Sequence, residues 1–277
     1  MNTEANTRVA VVTGAASGIG RALVHALALR GDTVVAADVD VPGLARTMKD
    51  IPASGGRVVS AHVDVSRAAD VEKLADIAFA IAGRVDLLIN NAGVLRTGNC
   101  WLTSEAEWRR TLDVNLWSVI HAARAFVPRM LAKGGHIVNV ASMAGLTAGP
   151  ELSAYTVSKF GVVAHSECLA GELAAIDAPI KVSVVCPGAV DTAIADAIHE
   201  SNDRQGNLAQ TNAGLQQIIR NGTKPDAFAS ALLADVDAGK FWIIPHAEVF
   251  AAFAQRARTI LRESSDTGLW EQATTCH

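Results

Sequence analysis

The amino-acid sequence predicts an α/β protein built on one doubly wound parallel sheet of seven strands, with helices on both faces. Short β-branched runs alternate with longer segments of helical period. The first six runs are almost continuously apolar, as strands covered on both faces must be. The gaps between runs are long enough for crossover helices.

Taken in order, the strand candidates are Val9 to Val12, Val34 to Ala37, Val58 to Val63, Val85 to Ile89, His136 to Val140, Val182 to Val185 and Phe241 to Ile244. Between the first two, Ser17 stands as an N-cap before Ile19, Leu23, Ala26 and Leu27, and Gly31 ends the helix. Ser66 is expected to cap a second helix running to Ile81, closed by Gly83. A third is expected over Ser153 to Glu172, and Ala247 to Arg262 has a helical pattern. No repeat, low-complexity tract or Pro/Gly/Ser-rich linker divides the chain, so residues 1–277 are expected to form one domain. Residues 189–220 break the rhythm after the sixth strand, before Pro225 restarts it. An insert at the carboxyl end of such a strand is expected to be a substrate lid, the alternative being a variable surface excursion.

Composition narrows the function. Half of the 277 residues are hydrophobic, enough to fill a core without disulfides. Lys plus Arg number 24 against 28 Asp plus Glu, with no basic block, which argues against a nucleic-acid partner. Apolar stretches fall far short of the roughly 20 residues that cross a bilayer, so no membrane partner is expected. Residues 1–8 lack the apolar run of a secretory signal, and a cytoplasmic location is the expectation. Cys100, Cys168, Cys186 and Cys276 form no C-x-x-C pair and read as reduced packing residues, with Cys276 exposed. The eight histidines offer no H-x-x-x-H cage, so no metal is expected.

The chemistry starts at Thr13-Gly14-Ala15-Ala16-Ser17-Gly18-Ile19-Gly20, where the first strand meets the first helix. Glycines there allow a tight turn, let backbone N–H groups approach a pyrophosphate, and let the helix pack close on the sheet. Packing alone could explain Gly20. Asp38 ends the second strand 18 residues beyond Gly20, near the spacing at which an acidic residue takes hydrogen bonds from an adenosine ribose. A carboxylate there repels a 2′-phosphate, and neither Ser17 nor Val39 supplies a cation, so NAD is favoured over NADP; the plainer reading of Asp38 is a turn aspartate.

Tyr155, the sole tyrosine, and Lys159 are spaced i, i+4, which puts both on one helix face. An ammonium ~4 Å from the phenol would favour the phenolate by about 4 kcal/mol at an effective dielectric near 20, enough to bring its pKa from near 10 to about 7. A surface Lys beside a half-buried Tyr is the plainer reading. Ser142 follows the fifth strand at the carboxyl edge, where its hydroxyl could hold a substrate oxygen.

From Arg8 to Ile244 the chain resembles the short-chain dehydrogenase/reductase family. The resemblance rests on an ordered set: the T-G-x-x-x-G-x-G turn, Asp64, Asn90-Asn91-Ala92-Gly93, Asn115, Ser142, Tyr155, Lys159, Pro187-Gly188 and Thr192. It implies a Rossmann-type fold and a catalytic tetrad. Tyr155 would be the acid/base, Lys159 would tune it and bind the nicotinamide ribose, Ser142 would orient substrate, and the Asn115 carbonyl would hold a relay water. The cofactor residues implied are Gly14, Ser17, Gly18, Ile19, Gly20, Asp38, Asp64, Val65, Asn91, Ala92, Gly93, Pro187, Gly188, Val190 and Thr192, with Tyr155 and Lys159. Asp64 would contact adenine, Asn91 to Gly93 the adenosine side, and Pro187 to Thr192 the carboxamide.

The expected activity is an NAD(H)-dependent exchange between a secondary alcohol and a ketone on a hydrophobic small molecule. Val94, Leu95, Met143, Leu146 and Leu152 are the expected substrate contacts. The alternative is a non-catalytic NAD-binding regulatory or scaffold protein. A homo-oligomer, dimer or tetramer, is expected, but the tail departs from the family's usual ending: residues 245–277 are expected to be a C-terminal helical extension.

Overall fold

A computed structural model describes residues 7–53, 55–196, 198 and 208–265. Part of the 189–220 insert, the end of the C-terminal extension and Cys276 lie outside them. All seven expected strands form: β1 (Val9–Thr13), β2 (Thr33–Asp38), β3 (Val58–His62), β4 (Leu87–Asn90), β5 (Gly135–Val140), β6 (Ile180–Val185) and β7 (Trp242–Ile243). They make one sheet in the order β3-β2-β1-β4-β5-β6-β7, with every pairing parallel.

Between them run α1 (Gly18–Leu29), α2 (Val41–Lys49), α3 (Ala68–Ala82), α4 (Glu105–Leu112), α5 (Ser118–Met130), α6 (Ser153–Ala175), α7 (Leu208–Arg220), α8 (Pro225–Asp237) and α9 (Ala247–Ser265). The apolar strands are apolar for the expected reason. In β1, Val9 and Val11 pack into the layer containing Leu74 of α3 and Phe126 of α5, whereas Ala10 and Val12 pack into the opposite layer with Leu23 of α1 and Phe228 of α8. Successive side chains of a strand face opposite sides, so both sets must be apolar. The exception is β3, at the sheet edge, where only Ala61 is buried. Truncating Phe126 or Phe228 to Ala would cost about 3 to 5 kcal/mol.

Two expected caps differ in detail. Ser17 occupies the N-cap of α1 in extended backbone, but its side chain makes no capping hydrogen bond. Ser66 is not the cap of α3, which starts after Arg67; its hydroxyl donates to Asp64 Oδ1 at 2.6 Å instead. Gly83 does close α3 in the left-handed region at φ 64°.

The order of strands reverses direction between β1 and β4. In open parallel sheets this is the place where loops from the carboxyl ends diverge and leave a crevice. No helix among the described residues is long and apolar enough to cross a membrane.

Candidate active site

A cavity of about 460 Å³ opens at that crevice. Its floor is the turn between β1 and α1, where Gly14 (φ 68°) and Gly18 (φ 51°) both lie in the left-handed region. A Cβ on Gly14 would come within 2.8 Å of Ala92 Cα, and one on Gly18 within 2.9 Å of Thr192 Cγ2. Gly20 does not reach the cavity. It lies beneath the turn, where its Cβ would stand 2.0 Å from the Gly14 carbonyl oxygen, so close packing of the helix start against the turn requires a glycine there.

The loop after β4 is bonded to this turn. Thr13 Oγ1 accepts from the N–H groups of Asn91 (3.0 Å) and Ala92 (3.1 Å), while Asn91 Nδ2 donates to the Thr13 carbonyl at 2.9 Å. At the end of β2, Asp38 accepts from the Ala16 N–H at 2.9 Å and the Asp40 N–H at 3.0 Å, which fixes its carboxylate on the cavity wall. Asp64 lines the same wall, braced by Ser66, with Val65 beside it. Ser17, Ile19, Ala92, Gly93, Pro187, Gly188, Val190 and Thr192 line it too, as expected.

Across the cavity, Tyr155 and Lys159 project from α6 and are 8% and 4% exposed. Ser142, just beyond β5, lines the wall and accepts from the Ala144 N–H at 3.2 Å. The expected lowering of the phenol by the ammonium is not found. Lys159 Nζ instead donates to the Val140 carbonyl at 2.9 Å and lies 5.8 Å from the Tyr155 ring centroid. Burial pushes the phenol above its usual 10, opposed only by the Ser142 hydroxyl. Burial likewise brings Lys159 down to about 8, opposed by the neighbouring Cys186. Tyr155 owes its burial to apolar packing, since Leu95 from the loop after β4 and Ala195, Ile198 and Ile219 from the 189–220 insert cluster with it.

Asn115 lies outside the cavity lining, in a widened turn of five residues, Asp113–Trp117, between α4 and α5. Such π-type turns are rare and cluster at functional places. Its Oδ1 accepts from Val94 N–H at 2.8 Å, and its Nδ2 donates to the Val94 carbonyl at 2.9 Å and to Ser158 Oγ at 3.0 Å. The side chain thus ties the loop after Gly93 to α6, one residue from Lys159.

Of the expected substrate contacts, Val94, Leu95, Met143 and Leu152 line the cavity. Leu146 does not: it is buried with Val119, Ala141 and Val162 in a separate apolar cluster. The first turn after Ser142 directs it down onto α6 rather than outward. Arg110 was not expected there, and Ile194 with three residues of α7, Leu215, Ile218 and Ile219, come from the 189–220 insert, whose contribution was expected without naming residues. Leu208, Leu215 and Ile219 mark an apolar stripe at spacings of seven and four in the insert, a signal legible in the sequence.

Val190 pairs with Thr223 by an isolated parallel bridge, in which the Asp191 N–H donates to the Thr223 carbonyl and the Thr223 N–H to the Ala189 carbonyl. Extended backbone alternates its polar groups, so the N–H and C=O of Val190 itself face the opposite side. The residues present fit a dinucleotide: a glycine floor that any side chain would fill, an uncapped helix N-terminus for a pyrophosphate, and a held carboxylate for a ribose.

Fold and cavity together define a dinucleotide-dependent oxidoreductase of the doubly wound class. The family model described as short chain dehydrogenase matches residues 8–203, and the chain belongs to that family, whose members use NAD or NADP. It is 35% identical over 268 residues to a 1-deoxy-11-beta-hydroxypentalenate dehydrogenase of Streptomyces avermitilis, covering 95% of this chain and 94% of the relative. It is 34% identical over 238 residues to 3beta-hydroxysteroid dehydrogenase 2 of Eggerthella lenta, covering 84% of this chain and 89% of the relative. A short chain dehydrogenase/reductase from Burkholderia phymatum, solved in complex with NAD, superposes with a TM-score of 0.88 at 35% identity, covering 94% of this chain and 96% of that one.

Proposed function

We propose that the protein interconverts a secondary alcohol and a ketone on an apolar small molecule, using NAD(H), with Tyr155 as the proton donor and acceptor. The single observation that carries this reading is the convergence of Ser142, Tyr155 and Lys159 on one wall of a cavity whose opposite floor is the glycine turn. When bound, the dinucleotide supplies or takes up the hydride.

The chain's own residues do the rest. Gly14, Ser17, Gly18, Ile19, Asp64, Val65 and the Asn91 to Gly93 loop hold the adenosine and pyrophosphate, with Gly20 shaping the turn from below. The Asp38 carboxylate takes the adenosine ribose and disfavours a 2′-phosphate, which is the basis for NAD over NADP. Pro187, Gly188, Val190 and Thr192 hold the far end. Ser142 donates to the substrate oxygen and orients it against Tyr155. Lys159 holds a ribose and steadies the proton path, and the Asn115 carbonyl seats a relay water leading from it.

A phenol whose pKa is raised by burial is protonated at neutral pH, so it is set to give a proton to a ketone oxygen. The sign of the pH dependence follows: ketone reduction holds up at low pH and falls as pH rises through the phenol's pKa, while alcohol oxidation climbs across the same range. An oxidation rate that falls as pH rises would contradict the assignment.

The substrate end supports an apolar body. Leu95, Met143, Leu152, Ile194, Leu215 and Ile219 surround the space beside Tyr155, and the two relatives are named for a hydroxypentalenate and a hydroxysteroid, both carbocyclic alcohols. A panel of secondary alcohols and ketones followed by NADH absorbance, with NADP(H) in parallel, tests the reading. Turnover of bulky apolar members with NAD is expected. Turnover confined to NADP, or to small charged alcohols, would overturn it. We further propose one folding unit, a cytoplasmic location and a homo-oligomer; size-exclusion chromatography with light scattering checks the last.

A further inference from the structure

The C-terminal extension reaches the cavity wall indirectly, through His246, which is bonded to the lining residue Gly188. His246, between β7 and α9, accepts a hydrogen bond at Nδ1 from the Gly188 N–H at 3.1 Å. Its other nitrogen, Nε2, contacts Thr223 Oγ1 at 3.0 Å. Because Nδ1 accepts, the proton of the neutral ring sits on Nε2, which therefore donates to Thr223. The ring also stacks on Phe228 of α8, with centroids 6.1 Å apart and planes 16° from parallel. One imidazole thus joins three elements: the loop after β6, the turn between α7 and α8, and the start of α9.

That loop is held from both sides. Thr223 clamps its Ala189 and Asp191 backbone groups, and the Pro187 carbonyl accepts from the Met143 N–H at 2.7 Å, next to Ser142. At Gly188 the approach is close, since a Cβ would stand 2.7 Å from Glu248 Oε1, the end of a flexible side chain, and 3.2 Å from His246 Cγ. The loop lies beyond β6, three strands away from β1 in the sheet order and on the far side of the cavity from Asp38 at the end of β2.

We propose that His246 is a positioning residue that holds the Pro187 to Val190 loop, through Gly188, in the shape that receives the nicotinamide half of the dinucleotide. The inference rests on the dinucleotide reading above. It gives the tail beyond β7 a role inside the site, reached by hydrogen bonding rather than by contact with the ligand.

The test is a fluorescence titration of the full chain with NADH, run beside a calorimetric titration with ADP-ribose, which carries the adenine half and lacks the nicotinamide. His246→Ala is expected to weaken NADH about tenfold, the worth of one lost hydrogen bond to a part-buried donor, and to leave ADP-ribose unmoved. His246→Asn, which places an acceptor where Nδ1 stands, restores NADH binding; His246→Gln, which keeps only the reach toward Thr223, does not. Equal loss for both ligands, or equal behaviour of the Asn and Gln variants, overturns the proposal. If His246→Ala fails to fold, the Asn and Gln pair decides alone. Absence of NADH binding by the unaltered chain would sink the dinucleotide reading itself, whereas tight binding with no response to any His246 variant would sink only the role of His246.

Discussion

The two ends of the cavity are built differently. The floor under the glycine turn is fixed by backbone: left-handed glycines, two N–H groups on Thr13 Oγ1, and a carboxylate held by main-chain donors. The wall beside Tyr155 is fixed by apolar side chains from α7 and from the loops after β4 and β5, packed around the phenol. Backbone devices accept one residue type and one geometry, whereas apolar packing accepts many. The first end suits a ligand that is always the same, the second a substrate that differs between relatives.

The largest effect is expected where the backbone leaves no freedom. Gly14→Ala forces an unfavourable φ and a contact with Ala92, together about 3 kcal/mol or more, so NADH affinity should drop by about 100-fold or the chain should fail to fold. Binding and melting measured together decide it, and normal affinity would erase the contrast between the two ends. Asp38→Asn comes next. Removing the charge that faces a 2′-phosphate should shrink the preference for NAD over NADP by about tenfold, read as the ratio of kcat/KM values. An unchanged ratio would relieve Asp38 of that role. At the side-chain end, Ile219→Ala should raise the KM of a bulky apolar substrate by only a few-fold, because neighbouring side chains can relax, while the KM of NADH stays put. A comparable change in the NADH constant would mean that the two ends are not separable.

This division also explains what was legible in the sequence. Almost continuous apolar runs located the interior strands because two-sided burial leaves few alternatives to Val, Ile, Leu and Ala, whereas the edge strands β3 and β7, each with one buried residue, were marked by their β-branched residues alone. The glycine turn and Asp38 were readable because close approach and strand ends tie residue type to position, whereas Asp64 and the Asn91 to Gly93 loop were picked out only by the family resemblance. Leu146 misled because an apolar residue near a site carries no sign of which way it faces. The insert was expected at the substrate end, but its α7 residues could not be named singly since polar neighbours such as Gln210 and Gln216 hide the stripe. The Tyr155 and Lys159 spacing showed the shared face but not that the amine would reach the Val140 carbonyl, a contact set by the sheet and not by the helix. His246 carried no readable signal, because its partners are brought in from Gly188 and Thr223, far along the chain.

The most direct test of the central claim is Tyr155→Phe, assayed for ketone reduction at saturating NADH with binding measured in parallel. Loss of the proton donor should lower kcat by about 100- to 10,000-fold while NADH affinity is kept. Turnover within a few-fold of the unaltered chain would contradict the account, and would leave a dinucleotide-binding fold whose chemistry lies elsewhere.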